Sequence, residues 1–180
     1  MGSAVTLQHQ VVFDLELALP RAEALAFVRD VPRSLAKATF LEALTVVPGE
    51  PELVRAALPV NAAFLGQRSL PFESELLVTE GGARLIGRPL DPEGPGWAQV
   101  DGEAEVAPVT VGGRGGRGAR VRYRFDVRVH LRLPEPERWG GRALLHMIEF
   151  TARAVLERVT AQFPAAIQAA ASEAEAAVVA

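Results

Sequence analysis

Hydrophobic and polar positions alternate along the first part of the chain. From Leu7 to Leu19 apolar and polar positions alternate, with Phe13 and Leu15 on one side of the alternation and Asp14 and Glu16 on the other. Side chains alternate across a β-strand, so a period of two indicates a strand with one buried face. The sequence therefore predicts an opening strand over this stretch.

Two short helices are predicted directly after this strand. Pro20 stands where a helix readily takes its first residue, and Leu25 and Val28 follow at helical spacing. Asp30 and Pro32 end that helix, and the stretch SLAKA predicts a second short one.

The next hundred residues alternate again and predict six further strands. Their connections are rich in Gly and Pro, for example at 80–82, 91–96 and 112–118, which is typical of hairpin turns. Short connections between consecutive strands predict an antiparallel meander. The predicted strands are Phe40–Val47, Leu53–Phe64, Ser69–Thr79, Ala83–Arg88, Trp97–Val109 and Ala119–Leu133.

The period changes from two to 3.6 after Pro136, which predicts a long helix over 138–163. Its polar face carries Arg142, His146, Glu149, Arg153 and Glu157. Its apolar face carries Leu145, Ile148, Ala152, Val155, Leu156, Val159 and Phe163. Pro164 is expected to kink or end the helix. The Ala-rich stretch 164–180 is expected to be a helical tail with little to bury.

These elements predict an α+β fold in one domain over residues 1–180, with a core at about 7–163. A curved antiparallel sheet of seven strands has one apolar face to cover, and the long helix is the element able to cover it. This order resembles the START-like, helix-grip (SRPBCC) superfamily of lipid-transfer proteins and polyketide cyclases, in a bacterial branch. The stretch LPRAEALAFVRDVPRSLAK is similar to that superfamily's entry from strand to helix. The resemblance implies an apolar ligand between sheet and helix.

Composition excludes several classes of function. The net charge of −3 argues against general nucleic-acid binding, which usually requires a strong basic excess. The chain has no Cys, so it has no disulfide, thiolate metal site or Cys nucleophile. It shows no signal peptide and no apolar run long enough for stable membrane insertion, so a cytoplasmic protein is expected.

Charged residues lie in stripes on the predicted outer face of the sheet. The last strand places Arg120, Arg122, Arg124, Arg128 and Arg132 on one side, with Asp126 and His130 among them. Such a basic stripe could dock nucleic acid, anionic lipid or an acidic protein. However, Asp101, Glu103 and Glu105 precede it, and a helix-grip order brings Asp14 and Glu16 to its other side. The sequence favours strand-by-strand ion pairs.

No catalytic, metal or cofactor site is predicted. The three histidines, His9, His130 and His146, lack partners at ligand spacing, and a His9–His130 metal pair is disfavoured. Glu73 and Glu75 point outward, whereas acid–base work requires a cleft. The Gly-rich stretch 111–120 has neither GK[ST] nor interleaved aromatics, so a hairpin connection is favoured over a phosphate or RNA site.

The inner face is almost entirely hydrocarbon, and this determines the predicted function. We expect non-catalytic binding or transport of a small hydrophobic ligand of lipid, isoprenoid or quinone type, in a cavity between sheet and long helix. The alternatives are a protein-interaction module with a filled core and, third, a cyclase-type enzyme. The predicted ligand-binding residues, with hydroxyls only at Ser74 and Tyr123, are Phe64, Phe72, Ser74, Leu76, Tyr123, Phe125, Leu145, Ile148, Ala152 and Val155.

Overall fold

The fold is a curved sheet of seven antiparallel strands that grips a long, bent C-terminal helix. The computed structural model describes residues 3–62, 66–90, 94–111, 116–133 and 141–180. The strands are β1 Ser3–Leu17, β2 Glu42–Val47, β3 Glu52–Ala62, β4 Gly66–Thr79, β5 Gly82–Arg88, β6 Gly96–Val111 and β7 Gly116–Leu133. The helices are α1 Arg21–Arg29, α2 Val31–Ser34, α3 Gly141–Thr160 and α4 Phe163–Val179. The predicted α+β helix-grip fold is confirmed.

The order of strands across the sheet is β1-β7-β6-β5-β4-β3-β2. The first and last strands of the meander therefore pair, as the resemblance implied. Helix α3 contacts β1 and β3, which lie towards opposite ends of this order, so the sheet curves around the helix. None of the described helices is long and apolar enough to cross a membrane.

The strand β2 is shorter than predicted because its start is irregular. It begins at Glu42 rather than Phe40, and its pairing with β3 shifts register between Glu42 and Thr45. Ala43 lies there with a φ of 51°, in the left-handed region that a non-glycine residue rarely adopts. This bulge points Leu41 and Leu44 inward together, where both pack against the core.

The C-terminal helix bends just before Pro164, as predicted, but the residues after the bend are part of the core. The expectation that they have little to bury is wrong. Ile167 is 1% exposed, and four alanines of α4 are also buried, namely Ala166, Ala170, Ala171 and Ala174. Small side chains let the helix lie close to its neighbours, so even an alanine-rich segment removes apolar surface from water.

The outer face carries ion pairs between neighbouring strands, as predicted, but among the described residues none joins the β6 acids Asp101, Glu103 and Glu105 to the arginines of β7. Arg122 Nε lies 3.1 Å from Asp14 Oδ1, and Arg120 pairs with Glu16 at 2.9 Å. On the same face, Arg84 of β5 lies 2.8 Å from Glu103 of β6. Two further arginines, Arg55 and Arg88, share the half-buried carboxylate of Glu73. The arginine stripe of β7 is thus largely neutralised within the sheet.

Charge reversal on this face tests that conclusion. Arg122→Glu should lower the free energy of unfolding at low salt, because it breaks an ion pair with Asp14 and faces Glu105 across the sheet. Arg124→Glu is the matched control, because it likewise faces an acid of β6, Glu103, but has Val12 on its other side and makes no ion pair among the described residues, so its loss should be smaller. Urea unfolding at low and high salt measures both, and salt should shrink the Arg122 effect. Equal losses in the two variants would contradict the pairing argument.

The backbone pairing between β5 and β6 is short, and the region where it ends is called the pinch below. Their ladder covers Gly82 to Leu85, and beyond it side chains take over the hydrogen bonding. The amide of Gly87 donates to Asp101 Oδ1 at 2.9 Å, and Gln99 donates to the Gly87 carbonyl at 3.1 Å. On the inner side the fully buried Ser74 hydroxyl donates to the Val100 carbonyl at 2.7 Å, reaching from β4 past β5 to β6.

This pinch coincides with a division of the interior into two hydrophobic clusters. The first lies under α1, α2 and α4 and includes Leu76, Leu85 and Phe125. The second lies under α3 and includes Phe72 and Val100. The residues Leu41, Leu44 and Val159 pack against both clusters.

Candidate functional site

The candidate site is an apolar cavity in the first cluster, between the inner face of β4–β7 and the segments α1, α2 and α4. Its volume is about 40 Å³. It is lined by Val28, Val31, Ser34, Leu35, Leu76, Ala83, Arg84, Leu85, Gly102, Glu103, Ala104, Tyr123, Phe125 and Ile167. The absence of a side chain at Gly102 keeps the space open, since a Cβ there would lie 3.2 Å from the Phe125 ring.

Tyr123 supplies the chief polar group of this cavity. The residue is 4% exposed, and its hydroxyl has no hydrogen-bond partner among the described residues. Burial raises the pKa of the Tyr123 phenol above its ordinary value, so the hydroxyl remains a donor at neutral pH. A buried hydroxyl without a partner costs about 1–3 kcal/mol, which an acceptor group would relieve.

An aromatic row extends from this tyrosine into the core. The rings of Tyr123 and Phe125 lie nearly parallel, 10° apart, with centroids 6.1 Å apart. Phe125 stacks on Phe163 at 4.4 Å, and the edge of Phe40 meets Phe163 at 4.8 Å. Phe13 packs against both of the first two rings, with its centroid 5.2 Å from that of Tyr123 and 6.3 Å from that of Phe125. The row fixes the Tyr123 ring, so its hydroxyl keeps one direction.

Ser34 is a second hydroxyl in the lining. It is 5% exposed, and its Oγ donates to the Asp30 carbonyl at 2.9 Å within the first turn of α2. A hydroxyl that donates its proton locally still has lone pairs to accept another hydrogen bond. Tyr123 and Ser34 therefore offer one donor and one acceptor in an otherwise apolar space.

The predicted ligand-binding residues are distributed over both clusters. Leu76, Tyr123 and Phe125 line the cavity, whereas Ser74 bonds the Val100 carbonyl at the pinch and is absent from the lining. Phe64 lies outside the described residues. The others belong to or pack against the second cluster, under α3: Phe72, Leu145, Ile148, Ala152 and Val155. That cluster contains a space of only about 10 Å³, lined in part by Ala152 and Val155.

The sequence prediction missed the whole part of the lining that comes from the helical segments. These residues are Val28 of α1, Val31 and Ser34 of α2, Leu35 directly after α2, and Ile167 of α4. The spacing of apolar residues in the two short helices could have indicated this part of the lining, because it marks a helix face that must be buried against the rest of the protein. The burial of Ile167 had no comparable signal in an alanine-rich segment.

Two larger depressions, of about 290 and 320 Å³, lie on the charged outer face and share Glu103 and Arg124. Their walls include the Arg84–Glu103 and Arg122–Asp14 ion pairs. These side chains already satisfy one another. Of the arginines in their lining, Arg124 alone makes no ion pair with a described residue.

The histidines do not form a site. His9 follows the inward parity of β1, while His130 lies on the outer face, stacked on Trp97 at 4.0 Å, so the two cannot share a metal. Burial and nearby Arg128 lower the pKa of His130. His146 lies 3.9 Å from Glu149 on the exposed side of α3. Within the described residues no group of three potential metal ligands comes together.

Comparison with solved structures supports the fold alone. The chain is similar to the Zhui aromatase/cyclase from Streptomyces sp. R1128, with a TM-score of 0.57, 16% identity, and 96% of each chain covered. It is also similar to a conserved protein from Geobacillus kaustophilus, with a TM-score of 0.51, 15% identity, and coverage of 93% of this chain and 96% of that one.

Sequence comparison identifies the family. No curated protein matches the chain. A family model does match, over residues 12–161, from within β1 to just beyond the end of α3. The chain therefore belongs to the family described as "Protein of unknown function (DUF3809)".

Proposed function

We propose that this domain binds or carries a small hydrophobic molecule that bears a hydrogen-bond acceptor. The Tyr123 hydroxyl carries the proposal, because it is buried and has no partner among the described residues, and because Tyr123 lines an apolar cavity. A lipid, isoprenoid or quinone with a carbonyl or ether oxygen has the required chemistry. We further infer a START-like domain that works in the cytoplasm and performs no catalysis.

The cavity must widen to accept such a molecule. Sites for drug-sized ligands measure roughly 300–1,000 Å³, whereas this cavity of about 40 Å³ has room for little more than water. The proposal therefore requires a movable wall. The inner face of the sheet is held by its ladders, so the helical segments α2 and α4 are the walls expected to move.

Tyr123→Phe tests whether the ligand's hydrogen-bond acceptor, and not only its apolar part, contributes to the binding affinity. Prodan, a fluorescent naphthyl ketone, is a suitable probe, with the corresponding dimethylaminonaphthalene without the carbonyl as its control. Tyr123→Phe should weaken prodan binding about five- to tenfold and leave the control compound unchanged, because one hydrogen bond is lost. Fluorescence titration measures both affinities.

The same variant should stabilise the ligand-free protein by about 1 kcal/mol, since it removes a buried, unpartnered hydroxyl. Urea unfolding without ligand tests this. Native mass spectrometry of the purified protein should also detect a bound hydrophobe. Equal loss of affinity for both compounds, or no binding of either one to the wild type, would rule out the proposed role of Tyr123.

A filled core supports the second candidate, an interaction module. The two interior spaces are small, and α3 exposes Leu144, Met147 and Phe150, the last at 75%. Replacing these three with serine should abolish capture of a partner while leaving prodan binding unchanged. If the triple variant instead captures the partner as well as the wild type does, the ligand-binding proposal is favoured.

A further inference from the structure

One ion pair joins the two helical segments that roof the cavity. Lys37, three residues beyond the end of α2, lies 2.6 Å from Glu173 on α4. Both segments contribute to the lining, α2 through Val31, Ser34 and Leu35 and α4 through Ile167. Among the described residues, no other ion pair or side-chain hydrogen bond joins the segment 30–41 to α4. The two segments cannot part without breaking this pair.

The other polar contacts of α2 and α4 would remain if these two segments moved apart. Asp30 holds α2 only locally, by accepting from the Arg33 amide and the Ser34 hydroxyl. Glu175 accepts from the Ala18 amide at 2.9 Å, which ties α4 to the end of β1 rather than to α2. A single helical turn held by its own hydrogen bonds can tilt as a unit. The polar resistance to opening is thus concentrated in one contact.

We propose that the Lys37–Glu173 ion pair is a latch that keeps the roof of the empty cavity closed and so slows the entry of ligand. The inference rests on the proposed function and adds the way in which the small cavity opens. Both side chains are well exposed, at 44% and 65%, so the latch is weak and readily broken by solvent ions. Because a ligand needs the widened cavity, the pair is intact in the empty protein and broken in the complex, so it acts on entry alone.

Hydrogen exchange tests the latch without any ligand. Lys37→Met should accelerate exchange of backbone amides in α2 and in α4 about two- to fivefold, the factor expected for loss of one exposed ion pair. Arg120→Met is the matched control, because Arg120–Glu16 has similar exposure and distance but lies on the outer face, away from the roof. The double exchange Lys37→Glu with Glu173→Lys should return the wild-type rates.

Stopped-flow fluorescence with prodan then tests the effect on access. Removal of the latch should raise the association rate about two- to fivefold, lower Kd by the same factor and leave the dissociation rate unchanged. A merely structural contact would instead lower the free energy of unfolding and leave the association rate and Kd unchanged. Because Lys37 is the only lysine, acetylation of the wild type should reproduce the effect without a substitution.

The outcomes distinguish the two proposals. Unchanged exchange in α2 and α4 of Lys37→Met, or equal changes in Arg120→Met, would overturn the latch. Faster exchange without any prodan binding would support the latch and reject the proposed function. Prodan binding with unchanged rates in Lys37→Met would overturn the latch and leave the proposed function standing.

Discussion

Gly82→Ala is expected to lower the free energy of unfolding by about 3 kcal/mol or more. A Cβ at this position would lie 1.8 Å from the Ala104 carbonyl oxygen and 2.9 Å from its carbon. Both atoms belong to the backbone of the paired strand β6, so no side chain can rotate away. The added methyl must push β5 from β6 at the start of their ladder. There the Gly82 carbonyl also accepts from Arg29 of α1 at 3.2 Å.

The neighbouring glycine provides a matched control. A Cβ at Gly81 meets no atom within 4 Å, so Gly81→Ala should change stability by less than about 0.5 kcal/mol. Urea unfolding followed by circular dichroism compares the two variants. Similar stabilities would mean that β5 and β6 do not approach as closely at Gly82 as the structure has them.

Phe163→Ala is expected to cost about 3–5 kcal/mol, the range for a large buried aromatic truncated in a core. The side chain is 2% exposed, at the point where the C-terminal helix bends, and its ring contacts both Phe125 and Phe40. Its loss removes the anchor at the start of α4 as well as the stacking on Phe125. The roof of the cavity should therefore loosen together with the core.

Phe150→Ala is the control, because the same truncation on α3 removes a ring that is 75% exposed. It should change the free energy of unfolding by less than about 0.5 kcal/mol. Thermal and urea unfolding measure both variants. A loss in Phe163→Ala no larger than that in Phe150→Ala would contradict the packing of α4 on the sheet.

The sequence was most informative where one face of an element is buried. Alternation over residues 7–19 and 119–133 located β1 and β7, and the same parity placed Asp14 and Glu16 on the outer face beside the arginines of β7, where the structure pairs them with Arg122 and Arg120. Pro164 located the bend of the C-terminal helix. These features follow from local periodicity and backbone chemistry, which a single sequence displays.

The site was predicted less well because it depends on contacts distant in sequence. Tyr123 and Ser74 share an inward parity, yet only Tyr123 lines the cavity, since Ser74 meets the Val100 carbonyl through the pinch at Gly87. Nothing near Ser74 in the chain indicates that contact. The packing of α4 was likewise invisible, because alanine shows helical propensity without showing a buried face.

The pinch at Gly87 has a consequence for how the protein tolerates change. Substitutions distant from one another and without shared neighbours usually have additive effects on stability. Positions under α3, such as Ala152, and positions under α2, such as Leu35, belong to different clusters. One side of the interior can therefore accumulate variation, or be redesigned for heat resistance, while the other retains its shape.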